Sequence, residues 1–373
     1  MAAAWLAFTT PAVPAVQRVL SNPAPTASEM RTYCADQDSE FRDRIPFVGM
    51  SDSFVELASL HSRDCSFGLM AANHLGYYRA VLNWSGVELR PGRYDFTFYD
   101  RLVAQLAQHH MRLLPVLLGP PAWESSAPRS ATSTSYPPAH QAPFGRFAAL
   151  CVKRYGPGGS FWRDHPDLPY YPVRAWQIWN EPNLQAYWPP KPNAAAYVRL
   201  LRASYVAIKR VDPHAIVVTA GMAALSATEE PSWLNALYRA GLHGAFDALA
   251  IHLYGPTPGW ALNRLKTARG IMDRFGDRHE ALWVTEVGWT GGPPDAYAPS
   301  QRGQRVQVSR FMGLVERNRA RLGLKQLIWY GWQDKVYGPD PDWWGYHLGF
   351  FTAGLRPKLA LRTFAAAARR LDQ

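Results

Sequence analysis

Residues 173 to 221 decide the fold. They open with VRAWQIWN (173–180), a short run dominated by apolar and aromatic residues. They pass through AAYVRLLRASYVAIKRV (195–211), whose apolar positions recur at helical spacing, and return to a second short apolar run, AIVVTAG (215–221). Strand, helix and strand in this order, with strands apolar on both faces, describe a βα unit of a parallel sheet. The same alternation extends outward in both directions. Upstream stand PFVGM (46–50), YYRAVLN (77–83) and RLLPVLL (112–118), and downstream ALAIHLY (248–254), LWVTEVG (282–288) and LIWYGWQ (327–333). FYDRLVAQLAQHH (98–110) and RGQRVQVSRFMGLVERNRARL (302–322) are helical segments between them, and ALRTFAAAARRL (360–371) follows the last. Eight strands with helices between and behind them predict an α/β protein with a (β/α)₈ barrel, a fold that spans roughly 200 to 400 residues in one domain. Residues 1–44, rich in Ala, Pro, Ser and Thr and without a period, read as a leader or a loosely ordered segment, with the barrel over 45–373.

Composition narrows the function. Hydrophobic residues make up 47% of the chain and charged residues 18%, enough for a large core, and no run reaches the length of a membrane-spanning helix. The net charge is +11, with seven lysines among 40 basic residues. There is no block of five or six like charges and no basic helix face, so the arginines read as singly solvated and nucleic acid is not expected as a partner. Cys34, Cys65 and Cys151 show no metal spacing. Cys151 reads as core, and Cys34 and Cys65, flanking the first strand, are a candidate disulfide pair. No Walker loop, strand-following GxGxxG, HExxH or GxSxG is present, so no cofactor or metal is called for.

A barrel of this kind presents its chemistry at the carboxyl ends of its strands. Of eleven glutamates, two stand there: Glu181 after the fourth strand and Glu286 near the end of the seventh. A carboxylate at the end of a buried strand is costly without partners, and a rim ion pair to arginine would explain one such residue better than two. Two carboxyls converging over the mouth from strands roughly opposite one another are what glycoside hydrolysis requires.

QIWNEPN (177–183) resembles the acid/base motif of clan A glycoside hydrolases, and WVTEVGW (283–289) resembles their nucleophile motif. GVELRPGRYDF (86–96), IHLYG (251–255) and the aromatic eighth strand extend the likeness over about residues 46–365, toward family 39 and its bacterial polysaccharide-cleaving members. The resemblance implies a retaining hydrolase with Glu181 as general acid/base and Glu286 as nucleophile. It implies that Asn180 contacts the sugar 2-hydroxyl, that Arg79 holds the nucleophile charged, and that His252 and Tyr254 contact the nucleophile or the sugar. For Arg79 a structural ion pair, and for His252 a satisfied structural histidine, remain open.

Aromatic rings stack on pyranose faces. Trp329 and Trp332 are candidates for the sugar-stacking floor, the choice depending on strand register, with Trp332 preferred. Trp84 and Trp123 are further candidates, Trp343 and Trp344 would form an outer subsite, and Trp179 and Trp289 serve equally well as core. The expected partner is an oligo- or polysaccharide, cleaved within the chain and outside the cell. An exo-acting β-xylosidase-like or arabinosidase-like enzyme is the first alternative, and a non-catalytic carbohydrate-binding barrel the second.

Overall fold

A computed structural model describes residues 46–128, 135–224, 228–292, 300–335 and 344–373. The expected leader and Cys34 lie outside the described residues. Eight parallel strands form the barrel: β1 (Val48–Ser51), β2 (Tyr77–Asn83), β3 (Arg112–Leu118), β4 (Ala175–Ile178), β5 (Ile216–Val218), β6 (Ala248–Leu253), β7 (Ala281–Val287) and β8 (Leu324–Tyr330). They pair in sequence order, and β8 pairs with β1 to close the ring. The (β/α)₈ reading therefore holds. β8 begins three residues earlier than expected, and Trp332 lies beyond its end. The fifth strand is broken after Val218, and Met222–Ala223 resume the pairing with β6.

The principal helices are α1 (Leu60–Ala72), α2 (Thr97–Gln108), α3 (Gln141–Tyr155), α4 (Ala194–Val211), α5 (Glu229–Arg239), α6 (Pro258–Arg274), α7 (Gln301–Leu322) and α8 (Leu359–Asp372). Their ends carry ordinary capping chemistry. Asn193, Thr257 and Ser300 each accept a backbone N–H from the first turn of α4, α6 and α7. Gly323, at φ +61°, ends α7 in the left-handed region and turns the chain into β8.

The core has two parts. A large one lies between the strands and the helices. A small one fills the barrel itself with Tyr77, Leu114, Ala175, Val218, Ala250, Trp283 and Ile328, among others. Because side chains alternate along a strand, the residues two places further on point inward as well. Those positions are Arg79, Val116, Gln177, His252, Thr285 and Tyr330, with Ala220 past the break in the fifth strand, so a mostly polar floor lies directly above an apolar plug. The ring is also tied at its base. Phe47 N donates to Asp372 Oδ1 at 2.7 Å, and Gln326 Nε2 donates to Phe47 O at 2.9 Å. Cys65 of α1 is disulfide-bonded, whereas Cys151 is free and buried, as expected of a core residue.

Candidate active site

Neither glutamate reaches the mouth by simple strand alternation. Trp283 and Thr285 point inward, so a regular β7 would turn Glu286 toward the helices. A bulge between Val284 and Glu286 shifts the register and sets Glu286 opposite His252 of β6. Glu181 follows a turn in which Trp179 (φ +74°) and Glu181 (φ +41°) both take left-handed backbone, at a cost of about 1–3 kcal/mol each. The surroundings fix that turn. Glu181 N donates to Gly221 O, and the buried Trp179 donates from Nε1 to Tyr187 O between Phe144 and Trp188.

The floor holds the two carboxylates differently. Arg79 reaches Glu286 Oε1 at 2.7 Å through Nη1, Asn180 Oδ1 at 2.7 Å through Nη2, and Gln177 Oε1 at 2.7 Å through Nε. Gln177 is fixed in turn by donating to Thr219 O. The Tyr254 hydroxyl donates to Glu286 Oε2 at 2.7 Å. Both oxygens of Glu286 are therefore held by donors. On Glu181, His252 Nδ1 lies 2.8 Å from Oε1, and among the described residues no side chain engages Oε2. His252 Nε2 lies 3.6 Å from Glu286 Oε1, which places the ring between the two carboxylates.

The electrostatic consequences differ in sign. Burial raises the pKa of Glu181 above the ordinary carboxylate range, with Glu286 adding to the rise and His252 opposing it. Burial also works to raise Glu286, but His252, Arg79 and the Tyr254 hydrogen bond outweigh it and its pKa falls below the ordinary value. Burial and the neighbouring Glu286 push the Tyr254 phenol well up, so it remains a donor. One buried carboxyl that keeps its proton beside one that sheds it is an arrangement that can supply an acid and a nucleophile. One carboxylate oxygen from each glutamate and a ring nitrogen of His252 lie within 4.8 Å of one another, a spacing that a metal ion could also use. The guanidinium already bound to Glu286 and the ring nitrogen already bound to Glu181 compete with that use.

Arg79, Asn180, His252 and Tyr254 are thus brought together around the two glutamates. Trp329, Trp332 and Trp84 are not. Trp329 has outward parity and is fully buried among Trp289, Phe350 and Phe364, so it belongs to the helix-side core. Trp332, the preferred floor residue, is also fully buried. Gly331, at φ +95°, turns the chain and packs Trp332 against Phe351. The inward place on β8 belongs to Tyr330, edge-on to Tyr254. Trp84 stacks on Phe147 and donates to Glu88 Oε2, which makes it core as well. Trp123, beyond β3, is 46% exposed. Trp343 lies outside the described residues, and Trp344 begins a short 3₁₀ turn to His347. Gln177, Tyr330 and Gly221 were not singled out from sequence. Strand parity from Arg79 and His252 would have identified the first two.

Residues 172–335 match the family model described as glycosyl hydrolase catalytic core. The match spans β4 to β8 and includes both glutamates. The barrel fold is shared with solved glycoside hydrolases, family 39 enzymes among them. A family 39 glycoside hydrolase from Bacteroides cellulosilyticus WH2 superposes with a TM-score of 0.65 at 20% identity, over 88% of this chain and 64% of that one. A monomeric β-xylosidase from Caulobacter crescentus CB15 gives 0.65 at 18% identity, over 87% and 68%. Xylanase 10B from Thermotoga maritima gives 0.59 at 13% identity, over 88% and 96%. At these identities the likeness is one of fold. The chain spans about two thirds of the length of the first two. No curated protein sequence matches this chain.

Proposed function

We propose that the protein hydrolyses O-glycosidic bonds of a polysaccharide with retention, cutting within the polymer. The observation that carries this is the approach of the two carboxylates, oxygen to oxygen within 4.8 Å, with opposite pKa shifts. Inverting enzymes separate their carboxyls by about 6.5–9.5 Å to admit a water, and retaining ones by about 5–5.5 Å. Glu286, ionised, attacks the anomeric carbon while Glu181 protonates the departing oxygen. A glycosyl-enzyme ester forms and the glycosidic bond breaks. Glu181, now a carboxylate, takes a proton from water, the hydroxide oxygen bonds to the anomeric carbon, and Glu286 leaves. Asn180, with its carbonyl oxygen held by Arg79, keeps its amide N–H groups for the sugar 2-hydroxyl.

The exposure of Trp123 supports endo action, because it offers a ring to a sugar beyond the cleaved bond. The likeness to a β-xylosidase favours exo action as a second reading. The disulfide at Cys65 supports an extracytoplasmic location, where such bonds persist. Wild type and Glu286→Gln should be compared on a panel of polysaccharides and aryl glycosides, with products resolved by mass. Oligosaccharide release abolished in the variant supports the proposal, and monosaccharide release alone selects the exo reading. Equal polymer binding by both proteins without cleavage reduces the barrel to a binding module.

A further inference from the structure

The two helices that complete the barrel, α7 and α8, carry nine arginines against two acidic residues, Glu316 and Asp372. The expectation of singly scattered arginines fails here. Arg302, Arg305, Arg310, Arg317 and Arg321 of α7 and Arg362, Arg369 and Arg370 of α8 are all exposed, and the two helices pack side by side. Of these eight, only Arg370 has an ion-pair partner among the described residues, Glu316 at 3.4 Å. Asp372 is occupied with Phe47 N. Arg317 and Arg321 stand four residues apart, a like-charge spacing that weakens a helix unless an outside anion answers it. Arg310 and Arg317 also flank a groove of about 290 Å³ whose far wall is Thr257, Pro258 and Gly259.

The direction of the helices relates this face to the active site. Helices in a (β/α)₈ barrel run against the strands, so Arg302, Arg305 and Arg362, in the first turns of α7 and α8, lie at the end that holds Glu181 and Glu286. Arg321, Arg369 and Arg370 lie at the other end. Twenty-two helical residues cover about 33 Å, several sugar rings in length. Guanidinium groups bind carboxylates through two parallel hydrogen bonds. The exposed large apolar residues on these helices are Val306 and Leu359, with no aromatic ring among them, so the face has no platform on which bases would stack.

We propose that the α7–α8 flank binds a carboxylate-bearing polysaccharide, leading the polymer from the catalytic mouth down the side of the barrel. The proposal rests on the reading of the chain as a polysaccharide hydrolase. Its test measures retention of polygalacturonate, neutral dextran and duplex DNA by the full chain carrying Glu286→Gln, with and without Arg302→Gln, Arg305→Gln, Arg317→Gln and Arg362→Gln. Polygalacturonate should be retained with an affinity that falls steeply between about 50 and 200 mM salt, and the four substitutions should weaken it by ~10-fold or more. Turnover of an uncharged aryl glycoside by the otherwise wild-type chain should not change with the same four substitutions. Equal retention of polygalacturonate with and without them overturns the proposal. Tighter, substitution-sensitive binding of DNA at matched salt also overturns it and reassigns the flank to nucleic acid. Retention is read without turnover, so failure of the hydrolase reading and failure of this one give different results.

Discussion

Glu286 stands level with His252 across β6 and β7 only because a bulge after Val284 turns it there. The imidazole consequently faces Glu286 at 3.6 Å and Glu181 at 2.8 Å, and the two carboxyls titrate as a linked pair.

The pH dependence of kcat/KM should be bell-shaped. Activity requires Glu286 ionised and Glu181 protonated. The lowered pKa of Glu286 puts the acid limb below the ordinary carboxylate range, and the raised pKa of Glu181 puts the alkaline limb above it. Glu181→Gln should lower kcat by about 10²–10⁴ on poor leaving groups, much less on activated aryl glycosides, and should remove the alkaline limb. An alkaline limb that persists in Glu181→Gln would assign it to another group.

Arg79→Gln should raise the pKa of Glu286 and move the acid limb to higher pH. It takes a fixed charge from a buried carboxylate and orphans Asn180 and Gln177 together. Breaking a buried pair in this way costs about 3–5 kcal/mol, reduced to the extent that Glu286 takes up a proton. Arg79→Lys should restore the acid limb in part but not the full rate, because the three donors of an ammonium radiate from one nitrogen and cannot reach acceptors set around a planar guanidinium. pH-rate profiles and thermal unfolding of the three proteins check both statements.

Gly221 lies in the break of the fifth strand, and a β-carbon there would sit 2.0 Å from His252 Nε2 and 2.7 Å from Thr285 Oγ1. Gly221→Ala should therefore displace the imidazole. A shift of about 1 Å in such a constellation can cost about 10²-fold in rate. The expected result is a fall in kcat with little change in KM, read by steady-state kinetics. An unaltered kcat would mean that the ring position is not critical.

Two other carboxyls govern stability. Burial, with Asp52 adding, pushes Glu56 up to about 8, and burial pushes Glu230 up to about 7. Among the described residues neither oxygen of Glu230 has a hydrogen-bond partner, and the Arg264 guanidinium stands 4.0 Å away. A carboxyl with a raised folded pKa gives stability that is complete below its unfolded value and is lost as pH rises through the folded one. The melting temperature should therefore fall between about pH 5 and 8, with each group worth on the order of a few kcal/mol over that window. Glu56→Gln and Glu230→Gln should flatten the slope in differential scanning calorimetry. An unchanged slope would place the titration elsewhere.

The strand order and the convergence of Glu181 and Glu286 at the strand ends were legible in the sequence, because each depends on local pattern and chain order. What was not legible followed from backbone irregularities. Trp332 was given the floor on the assumption that alternation continues past Tyr330, but the left-handed Gly331 ends it. Trp84 and Trp329 looked like sugar contacts because aromatic residues at strand ends serve binding and packing alike, and only their neighbours, Phe147 for one and Phe350 for the other, separate the two uses. Gln177 went unnoticed because its partner, Arg79, is 98 residues away. The basic flank was missed because the six arginines of α7 are interleaved with other residues rather than run together, and the three of α8 join them only through packing.

The tie between Phe47 and Asp372 bears on how the protein comes into being. β1 emerges early from the ribosome, yet one of its two neighbours, β8, and the residue that caps its base lie about 280 and 325 positions later. Throughout synthesis the nascent sheet keeps an open edge at β1, the kind of edge that invites pairing with another chain. Closing the ring requires the docking of β8 and α8, and until it occurs Arg79 and Glu286, on opposite sides of that seam, have no fixed distance between them.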